Sequence, residues 1–273
     1  VYDALRAQGL NCELIDPAHT PLILLANKHI DLVFIALHGG IGENGSVQAF
    51  LENLGIRYTG PDQKACVIAY DKILSKWMWQ AHGLPVAKAV VLSSEQDLDT
   101  CAGLGYPFFL KPPCEGSSVG VHKIKNKDEL HQASKELFKY YPSLLAEQYL
   151  RGAEYSCPIL GNQTLPVVKI ESASDFYDYE AKYLRNDTVY RCPAGLSPQQ
   201  EKEARELALL AFQACGCSRW GRVDLMQDEH GRFHILELNV SPGMTSHSLA
   251  PMSAKEAGLS FSELCLSILS HAK

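Results

Sequence analysis

The chain has 273 residues and a formal net charge of −6, and 46% of its residues are hydrophobic and 21% charged. This composition is typical of a folded globular protein and argues against disorder, while the length favours two or three packed lobes. The acidic balance argues against a general nucleic-acid binder, since such proteins usually carry a basic excess.

Two further features bear on the compartment in which the protein works. No apolar run approaches the roughly 20 residues of a membrane-spanning helix, so we expect no membrane association. The nine cysteines are scattered and odd in number, and they match no common zinc-binding spacing. This pattern favours reduced thiols in a cytoplasmic protein.

The first lobe alternates strand and helix patterns, which is typical of an open α/β fold. Ser46 is a suitable N-cap for a helix that ends at Gly55. Residues 1–8 have the pattern of a helix entered part-way, and we expect the strand–turn unit before it to be missing from this sequence. The predicted strands of this lobe are 12–15, 32–37 and 56–59.

The rest of the chain continues to mix both kinds of element. Helices are predicted over 62–82, over 95–102, from an Asp128 cap to about Tyr140, and over 198–215. Strands are predicted over 86–92, 108–111, 119–124, 144–150, 154–160 and 167–171, with 119–124 pairing with 108–111. Residues 175–185 form a polar loop rich in aromatic side chains.

The most informative stretch is a predicted hairpin of strands 223–226 and 233–238 around a polar turn. Residues two apart in a strand share a face. One face then carries Arg222, Asp224, Glu237 and Asn239, and the other carries Val223, Leu225, Leu236 and Leu238. The oxygen atoms of Asp224, Glu237 and Asn239 are suitable ligands for Mg²⁺, and the guanidinium of Arg222 can hold a phosphoryl group. The alternative is a solvated polar strand face.

The segment after Asn239 has the features of a ligand-binding turn. Gly243 permits close backbone approach, and Ser246 and Ser248 offer hydroxyl and N–H groups near a helix start. These groups suit a carboxylate, although an ordinary capped turn has the same composition.

A glycine–serine loop follows the strand that ends at Lys111. The loop over 116–120 contains Ser117 and could cover a phosphate that the lysine reaches, but its spacing is not that of a Walker A motif. A hairpin loop is the alternative.

Lys72 and Lys182 are further candidate phosphate cations or ordinary surface lysines. Glu147 and Glu154 are candidate acceptors from ribose hydroxyls, or a solvated acidic pair.

Seven runs then occur in a characteristic order. They are ALHGG at 36–40, GENG at 42–45, GSSVG at 116–120, YDYEAKY at 177–183, RCPA at 191–194, GRVD at 221–224 and ELNVSPGMTSHS at 237–248. Together they resemble the D-alanine–D-alanine ligase family, ATP-grasp enzymes of peptidoglycan precursor synthesis. The resemblance covers residues 1–273 and implies an α/β fold with α+β lobes. It implies an N-terminal domain over 1–62 and ATP-grasp lobes over 63–150 and 151–273.

The resemblance also implies a reaction. ATP activates one D-alanine as an acyl phosphate, and the amine of a second D-alanine displaces phosphate. ATP and two Mg²⁺ or Mn²⁺ ions are the implied cofactors, D-alanine is the implied substrate, and the family is usually a homodimer. The two alternatives are another ATP-grasp carboxylate–amine ligase and a truncated, inactive nucleotide-binding remnant.

Residue roles follow from the resemblance alone. It assigns phosphate binding to Lys72, Lys111 and Lys182, adenine binding to the segment from Glu147 to Leu150, and ribose binding to Glu154. It assigns the metal ions to Asp224, Glu237 and Asn239, the oxyanion to Arg222 and Gly243, the second carboxylate to Ser248 and Leu249, and the first D-alanine to His38. It also assigns Ser117 and Tyr183 to a hydrogen-bonded group that closes loop 175–185.

Two details of the resemblance concern substrates. Tyr183 favours the dipeptide over D-alanyl-D-lactate, because the ligases that make the latter typically differ at this position. The family also begins with a glycine-rich strand–loop whose Glu orients the first D-alanine, and nothing in this sequence corresponds to that segment. We therefore expect the first-substrate pocket to be incomplete in a truncated N-terminal domain.

Overall fold

The computed structural model describes residues 1–116, 118–171 and 188–272. The helices are α1 (Tyr2–Ala7), α2 (Ser46–Asn53), α3 (Gln63–Tyr70), α4 (Lys72–Ala81), α5 (Lys127–Leu137), α6 (Pro198–Ala214), α7 (Leu249–Glu256) and α8 (Phe261–Ser270). Shorter 3-10 helices cover Leu22–Asn27, Gly40–Gly42 and Glu95–Leu104. Among these residues, no helix is both long and apolar enough to cross a membrane.

The described strands form three sheets. They are β1 (Leu32–Val33), β2 (Arg57–Tyr58), β3 (Ala89–Leu92), β4 (Phe108–Lys111), β5 (His122–Ile124), β6 (Leu144–Gln148), β7 (Glu154–Leu160), β8 (Gln163–Thr164), β9 (Val168–Glu171), β10 (Val189–Arg191), β11 (Trp220–Gln227) and β12 (Phe233–Asn239). Strands β1 and β2 pair in parallel, the order β3-β6-β4-β5 makes an antiparallel sheet, and β10-β9-β7-β11-β12 makes the largest, with β8 beside β7.

The N-terminal lobe differs most from its sequence prediction. The strand predicted over 12–15 is wrong: these residues are irregular, and the Leu14 side chain is exposed rather than packed in a sheet. The two predicted strands over 32–37 and 56–59 shorten to β1 and β2. Gly45, not Ser46, is the N-cap of α2, because its φ of 88° turns the chain into the helix.

A helix break positions one predicted site residue. The single helix predicted over 62–82 is wrong, because Asp71 is extended (φ −91°, ψ 111°) and separates α3 from α4. Its carboxylate caps α4 by accepting from the N–H groups of Ile73 (2.8 Å) and Leu74 (3.2 Å). Lys72 is therefore the first residue of α4. Similarly, Asn126 and not Asp128 caps α5, through the N–H of Glu129.

The predicted hairpin is present as β11 and β12, with one irregularity. Asp224 pairs with Glu237, but Leu225 pairs with Ile235, so a β-bulge accommodates Leu236. The prediction that Leu236 faces the core is wrong, because the bulge breaks the alternation. Ile235 is buried in its place.

The main core lies between the largest sheet and three helices. Apolar side chains of α3, α4 and α6 pack against β7, β11 and β12. Trp79 of α4 is buried there and donates from Nε1 to the carbonyl of Ala211 at 2.9 Å. This packing fixes α4 beside the hairpin, and a bridge between Val86 and Ile235 joins the segment before β3 to β12.

Candidate active site

A cavity of about 460 Å³ lies where the four-stranded sheet meets the largest sheet. Six of the predicted site residues line it: Lys72, Lys111, Glu147, Leu150, Glu154 and Glu237. They come from α4, β4, β6, β7, β12 and the connection after β6. The structure therefore brings together residues that lie up to 165 positions apart in the sequence, from Lys72 to Glu237.

A buried charge cluster forms one end of this cavity. The Glu147 carboxylate lies between two lysines: Lys111 donates to Oε2, and the Lys76 ammonium pairs with Oε1. Burial alone would raise the pKa of Glu147, but the two ammonium groups outweigh burial and lower it to about 2. Sequence reasoning missed Lys76, although it lies four residues after Lys72 and thus on the same side of a helix.

Lys72 connects the glycine–serine loop to the hairpin. Its Nζ donates to the carbonyl of Glu115 at 2.6 Å and lies 3.7 Å from Oε2 of Glu237. Its backbone N–H donates to the carbonyl of Pro113 at 3.0 Å. A cation here can reach both a loop-covered anion and the Glu237 carboxylate of β12.

The polar face of the hairpin is assembled as predicted. Arg222 pairs across the strands with Asn239, and Asp224 pairs with Glu237. Within β11, Arg222 grips the Asp224 carboxylate through two hydrogen bonds, Nε to Oδ1 at 2.9 Å and Nη2 to Oδ2 at 2.7 Å. The planar fork of arginine fits a carboxylate in this way.

Asp224 has a second partner that sequence reasoning did not identify. Ser156 of β7 is fully buried and donates its hydroxyl to Oδ1 of Asp224 at 2.6 Å. The two residues are register partners on neighbouring strands. Ser156 therefore lies across β11 from Glu237, and the three side chains form a row across β7, β11 and β12.

The hairpin offers oxygen donors to a divalent ion. Asp224 and Glu237 supply carboxylates and Asn239 an amide oxygen, which accepts from the Ser241 N–H at 3.0 Å. Across residues 1–116, 118–171 and 188–272, no three His, Cys, Asp or Glu side chains form a ready metal cluster. Two carboxylates with phosphate oxygens suffice for Mg²⁺, so this donor set fits an ion that a nucleotide shares.

The loop after β12 brings together the residues predicted to bind the second substrate and the oxyanion. Ser248 is the N-cap residue of α7, and its Oγ accepts from the Thr245 N–H at 3.0 Å. A Cβ on Gly243 would lie 2.6 Å from that Oγ, so a larger residue here would require the Ser248 side chain to move. The Leu249 side chain packs with Val168 and Ile170, which leaves its backbone as the group that can serve a ligand.

The N-terminal lobe reaches the same face through Glu43, with His38 close to that carboxylate. His38 is exposed in the segment after β1. Glu43 lies within electrostatic range of His38, Arg222 and Glu237, and burial raises its pKa above the ordinary value. Glu43 belongs to a motif noted in the sequence, yet its composition alone indicated no role.

Three predicted site residues, Ser117, Lys182 and Tyr183, lie outside the described residues, as does the predicted loop over 175–185.

Apolar side chains complete the cavity wall. Phe109, Tyr149 and Ile170 line it together with Met226 and Leu236. Because the bulge turns Leu236 away from the core, its side chain forms part of this wall. An apolar slot that ends at a buried charge cluster can accept a flat ring system with a polar edge.

Comparison with known proteins gives matches over nearly the whole chain. A family model described as D-ala D-ala ligase C-terminus matches residues 78–270, and one described as D-ala D-ala ligase N-terminus matches residues 19–61. The D-alanine–D-alanine ligase of Laribacter hongkongensis is 49% identical over 273 residues, which is 100% of this chain and 89% of that protein. The D-alanine–D-alanine ligase B of Chromobacterium violaceum is 47% identical over 270 residues, 98% of this chain and 89% of that protein.

Solved structures give a similar result. The D-alanine–D-alanine ligase of Bacillus anthracis superposes with a TM-score of 0.83 at 34% identity, covering 93% of this chain and 84% of that one. A structure of that ligase complexed with ATP gives 0.81 at 32% identity, with coverages of 92% and 81%. The VanG D-Ala:D-Ser ligase of Enterococcus faecalis gives 0.80 at 33% identity, with coverages of 88% and 72%.

Proposed function

The chain belongs to the D-alanine–D-alanine ligase family. We propose which residues of its cleft bind the nucleotide, the metal ions and the substrates of the ligase reaction. The ATP-grasp fold and the ATP-dependent joining of two D-alanines for cell wall synthesis, both predicted from the sequence, are confirmed. The enzyme acts on small molecules and uses ATP and a divalent metal ion.

The proposed nucleotide position follows the cavity from its apolar wall to the hairpin. Adenine lies between the wall and the segment from Glu147 to Leu150, and Glu154 accepts from the ribose. The triphosphate then extends past Lys111 towards Lys72 and Glu237. This proposal is supported by the fact that these residues line one cavity, and Lys182 joins the phosphate cations by resemblance.

The proposed metal ligands are Asp224, Glu237 and Asn239, which would hold two Mg²⁺ or Mn²⁺ ions against the triphosphate. When bound, the ions neutralise charge on the phosphates. Arg222 and Ser156 fix the Asp224 carboxylate before a ligand arrives, because each of its oxygens already accepts a hydrogen bond.

The proposed chemistry has two steps. A carboxylate oxygen of the first D-alanine attacks the γ-phosphorus, the bond to the β-phosphate bridging oxygen breaks, and ADP leaves. The amine of the second D-alanine then attacks the acyl carbon, and inorganic phosphate leaves from the tetrahedral intermediate. Arg222 and the Gly243 N–H stabilise the oxyanion of that intermediate by preorganised charge and hydrogen bonding.

The proposed substrate sites lie at the N-terminal end of α7 and beside the first lobe. Ser248 and the backbone of Leu249 hold the carboxylate of the second D-alanine, as helix N-termini favour anions. His38 lies near the first D-alanine. Ser117 and Tyr183, by resemblance, close the loop over the intermediate and exclude water.

Three coarser features complete the proposal. The domains are residues 1–62, 63–150 and 151–273, a division supported by the separate sheets that these ranges contain. The enzyme acts in the cytoplasm, where its nine free thiols would remain reduced. It does not associate with a membrane. It forms a homodimer, as the family usually does.

The observation that carries the proposal is one cavity that is lined by Lys72 of α4, by Lys111 of β4 and by the Glu237 carboxylate of the hairpin. The test is to incubate residues 1–273 with ATP, Mg²⁺ and D-alanine and to measure the release of phosphate, with the product identified by mass spectrometry. D-alanyl-D-alanine is expected when D-alanine competes with equimolar D-serine, D-lactate or L-alanine. ATP binding without turnover, or a preferred product from another acceptor, would contradict the proposal. D-serine is included because one of the similar structures is that of a D-Ala:D-Ser ligase.

A further inference from the structure

Lys76 is the buried cation of the cleft to which neither the sequence nor the proposed chemistry gives a role. It lies on α4, one turn after Lys72, and only 3% of the residue is exposed. Its ammonium pairs with Oε1 of Glu147 and donates to the carbonyl of Ala87 at 3.4 Å. Among the described residues, Lys111 and Glu147 line the cavity whereas Lys76 does not. Lys76 therefore lies on the side of the carboxylate that faces away from the cavity.

The charges of this cluster do not cancel. Lys76, Lys111 and Glu147 carry two positive charges and one negative charge, and all three are buried. A buried carboxylate needs only one cation for neutrality, and a second buried ammonium adds a desolvation cost. Burial indeed lowers the pKa of Lys76, although Glu147 partly offsets the effect. The net positive charge of these three groups favours an anion in the cavity that Lys111 borders.

The two lysines differ in what they can reach. Lys111 borders the cavity, so it can turn from Glu147 to an incoming phosphate, whereas Lys76 is enclosed by α4, Glu147 and Ala87. If Glu147 had Lys111 as its sole partner, the ligand would have to compete with a buried ion pair for that lysine. Lys76 removes this competition, because it remains with the carboxylate.

We propose that Lys76 is a positioning residue that holds Glu147, so that Lys111 is available to a nucleotide phosphate. This inference rests on the proposed function, which assigns Lys111 to the phosphates. Lys76 acts through Glu147 and does not contact the nucleotide. Its effect is therefore conditional on the carboxylate, which distinguishes it from a lysine that only adds packing or general positive potential.

The test is a double-mutant cycle on the full chain, with ATP affinity measured by titration calorimetry. Lys76→Met is expected to weaken ATP binding about tenfold, because Glu147 then has Lys111 as its sole partner and the phosphate must compete with the carboxylate for that lysine. In the Glu147→Gln background the same change is expected to leave ATP affinity nearly unaltered, since Lys111 then has no carboxylate to neutralise. Lys76→Arg is expected to recover most of the lost affinity, because it keeps the charge beside Glu147.

Controls separate this result from other outcomes. Lys64→Met makes the same change at an exposed residue of α3 and should leave ATP affinity unaltered. The KM for ATP should rise in Lys76→Met while the KM for D-alanine does not, which a general loss of structure would not produce. A wild-type chain that binds no ATP would refute the proposed function rather than the role of Lys76.

Equal losses from Lys76→Met in both backgrounds would overturn the inference, as would an unaltered ATP affinity in a folded Lys76→Met chain. If Lys76→Met does not fold alone, Glu147→Gln and Lys76→Met/Glu147→Gln are compared directly. Equal ATP affinities support a role exercised through Glu147, and a difference of tenfold contradicts it.

Discussion

At one end of the cleft a carboxylate, Glu147, is held between two lysines, whereas at the other end Arg222 and Ser156 hold Asp224 beside Glu237. The first cluster has a surplus of positive charge and suits phosphate. The second is rich in carboxylate and amide oxygens and suits divalent cations. In both, internal partners orient the groups before a ligand arrives, so a metal–nucleotide complex meets a cleft that is already complementary in charge at each end.

The largest effect should come from the arginine of the hairpin. Arg222→Lys removes the bidentate grip on Asp224 and the group proposed for the oxyanion, so kcat should fall about 10³-fold. The KM for ATP should change little, because the cavity residues remain. Steady-state phosphate release measures both constants. Arg232→Lys, on the exposed turn of the same hairpin, is the matched control, and a similar loss there would remove the distinction.

The lysine-rich cluster, which consists of Lys76, Lys111 and Glu147, should differ from the hairpin in how its contribution to stability depends on pH. The pKa of Glu147 falls from 4.5 to about 2 on folding, so its stabilisation is complete above pH 4.5 and is lost as the pH falls towards 2. Between pH 6 and pH 3 this group should account for a loss of about 2 kcal/mol in unfolding free energy. Urea unfolding at the two pH values should show this loss in the wild type and a smaller one in Glu147→Gln. Equal losses would show that Glu147 is not held by its lysines.

Sequence patterns predicted the hairpin face because strand alternation has a fixed period, which placed Arg222, Asp224, Glu237 and Asn239 together. The same rule failed at Leu236, since alternation does not encode a bulge. Lys76 and Ser156 were missed for a different reason. Their partners lie 71 and 68 positions away, and nothing local marks a lysine or serine that only the folded chain pairs with a carboxylate.

Loss of one hydroxyl should loosen the metal end alone. Ser156→Ala removes a hydrogen bond to Oδ1 of Asp224, so Mn²⁺ affinity in the presence of ATP should fall about tenfold. Ser156→Thr keeps the hydroxyl and should retain most of the affinity. Electron paramagnetic resonance of free Mn²⁺ reports the change. Ser134→Ala, at another fully buried serine, is the control, and an unaltered Mn²⁺ affinity in Ser156→Ala would refute this orienting role.

The acceptor loop should give the smallest effect. Gly243→Ala places a Cβ 2.6 Å from Oγ of Ser248, and relief of that contact should displace the proposed carboxylate site. The KM for the second D-alanine should rise about fivefold, the equivalent of about 1 kcal/mol of overpacking, with ATP affinity unchanged. Gly103→Ala, where a Cβ meets nothing within 4 Å, should have normal kinetics. A change confined to ATP would place this loop at the wrong end of the cleft.

The division of the cleft is tested most directly by ATP affinity in the Asp224→Asn chain, measured by titration calorimetry with and without Mg²⁺. The wild type should bind ATP at least about tenfold more tightly when Mg²⁺ is present. Asp224→Asn should lose that gain and keep the metal-free affinity, which the lysine-rich cluster determines, while Asp99→Asn on the surface should behave as the wild type. Retention of the Mg²⁺-dependent gain in Asp224→Asn, or loss of its metal-free ATP binding, would contradict the assignment of the metal ions to the hairpin and of the metal-free ATP affinity to the lysine-rich cluster.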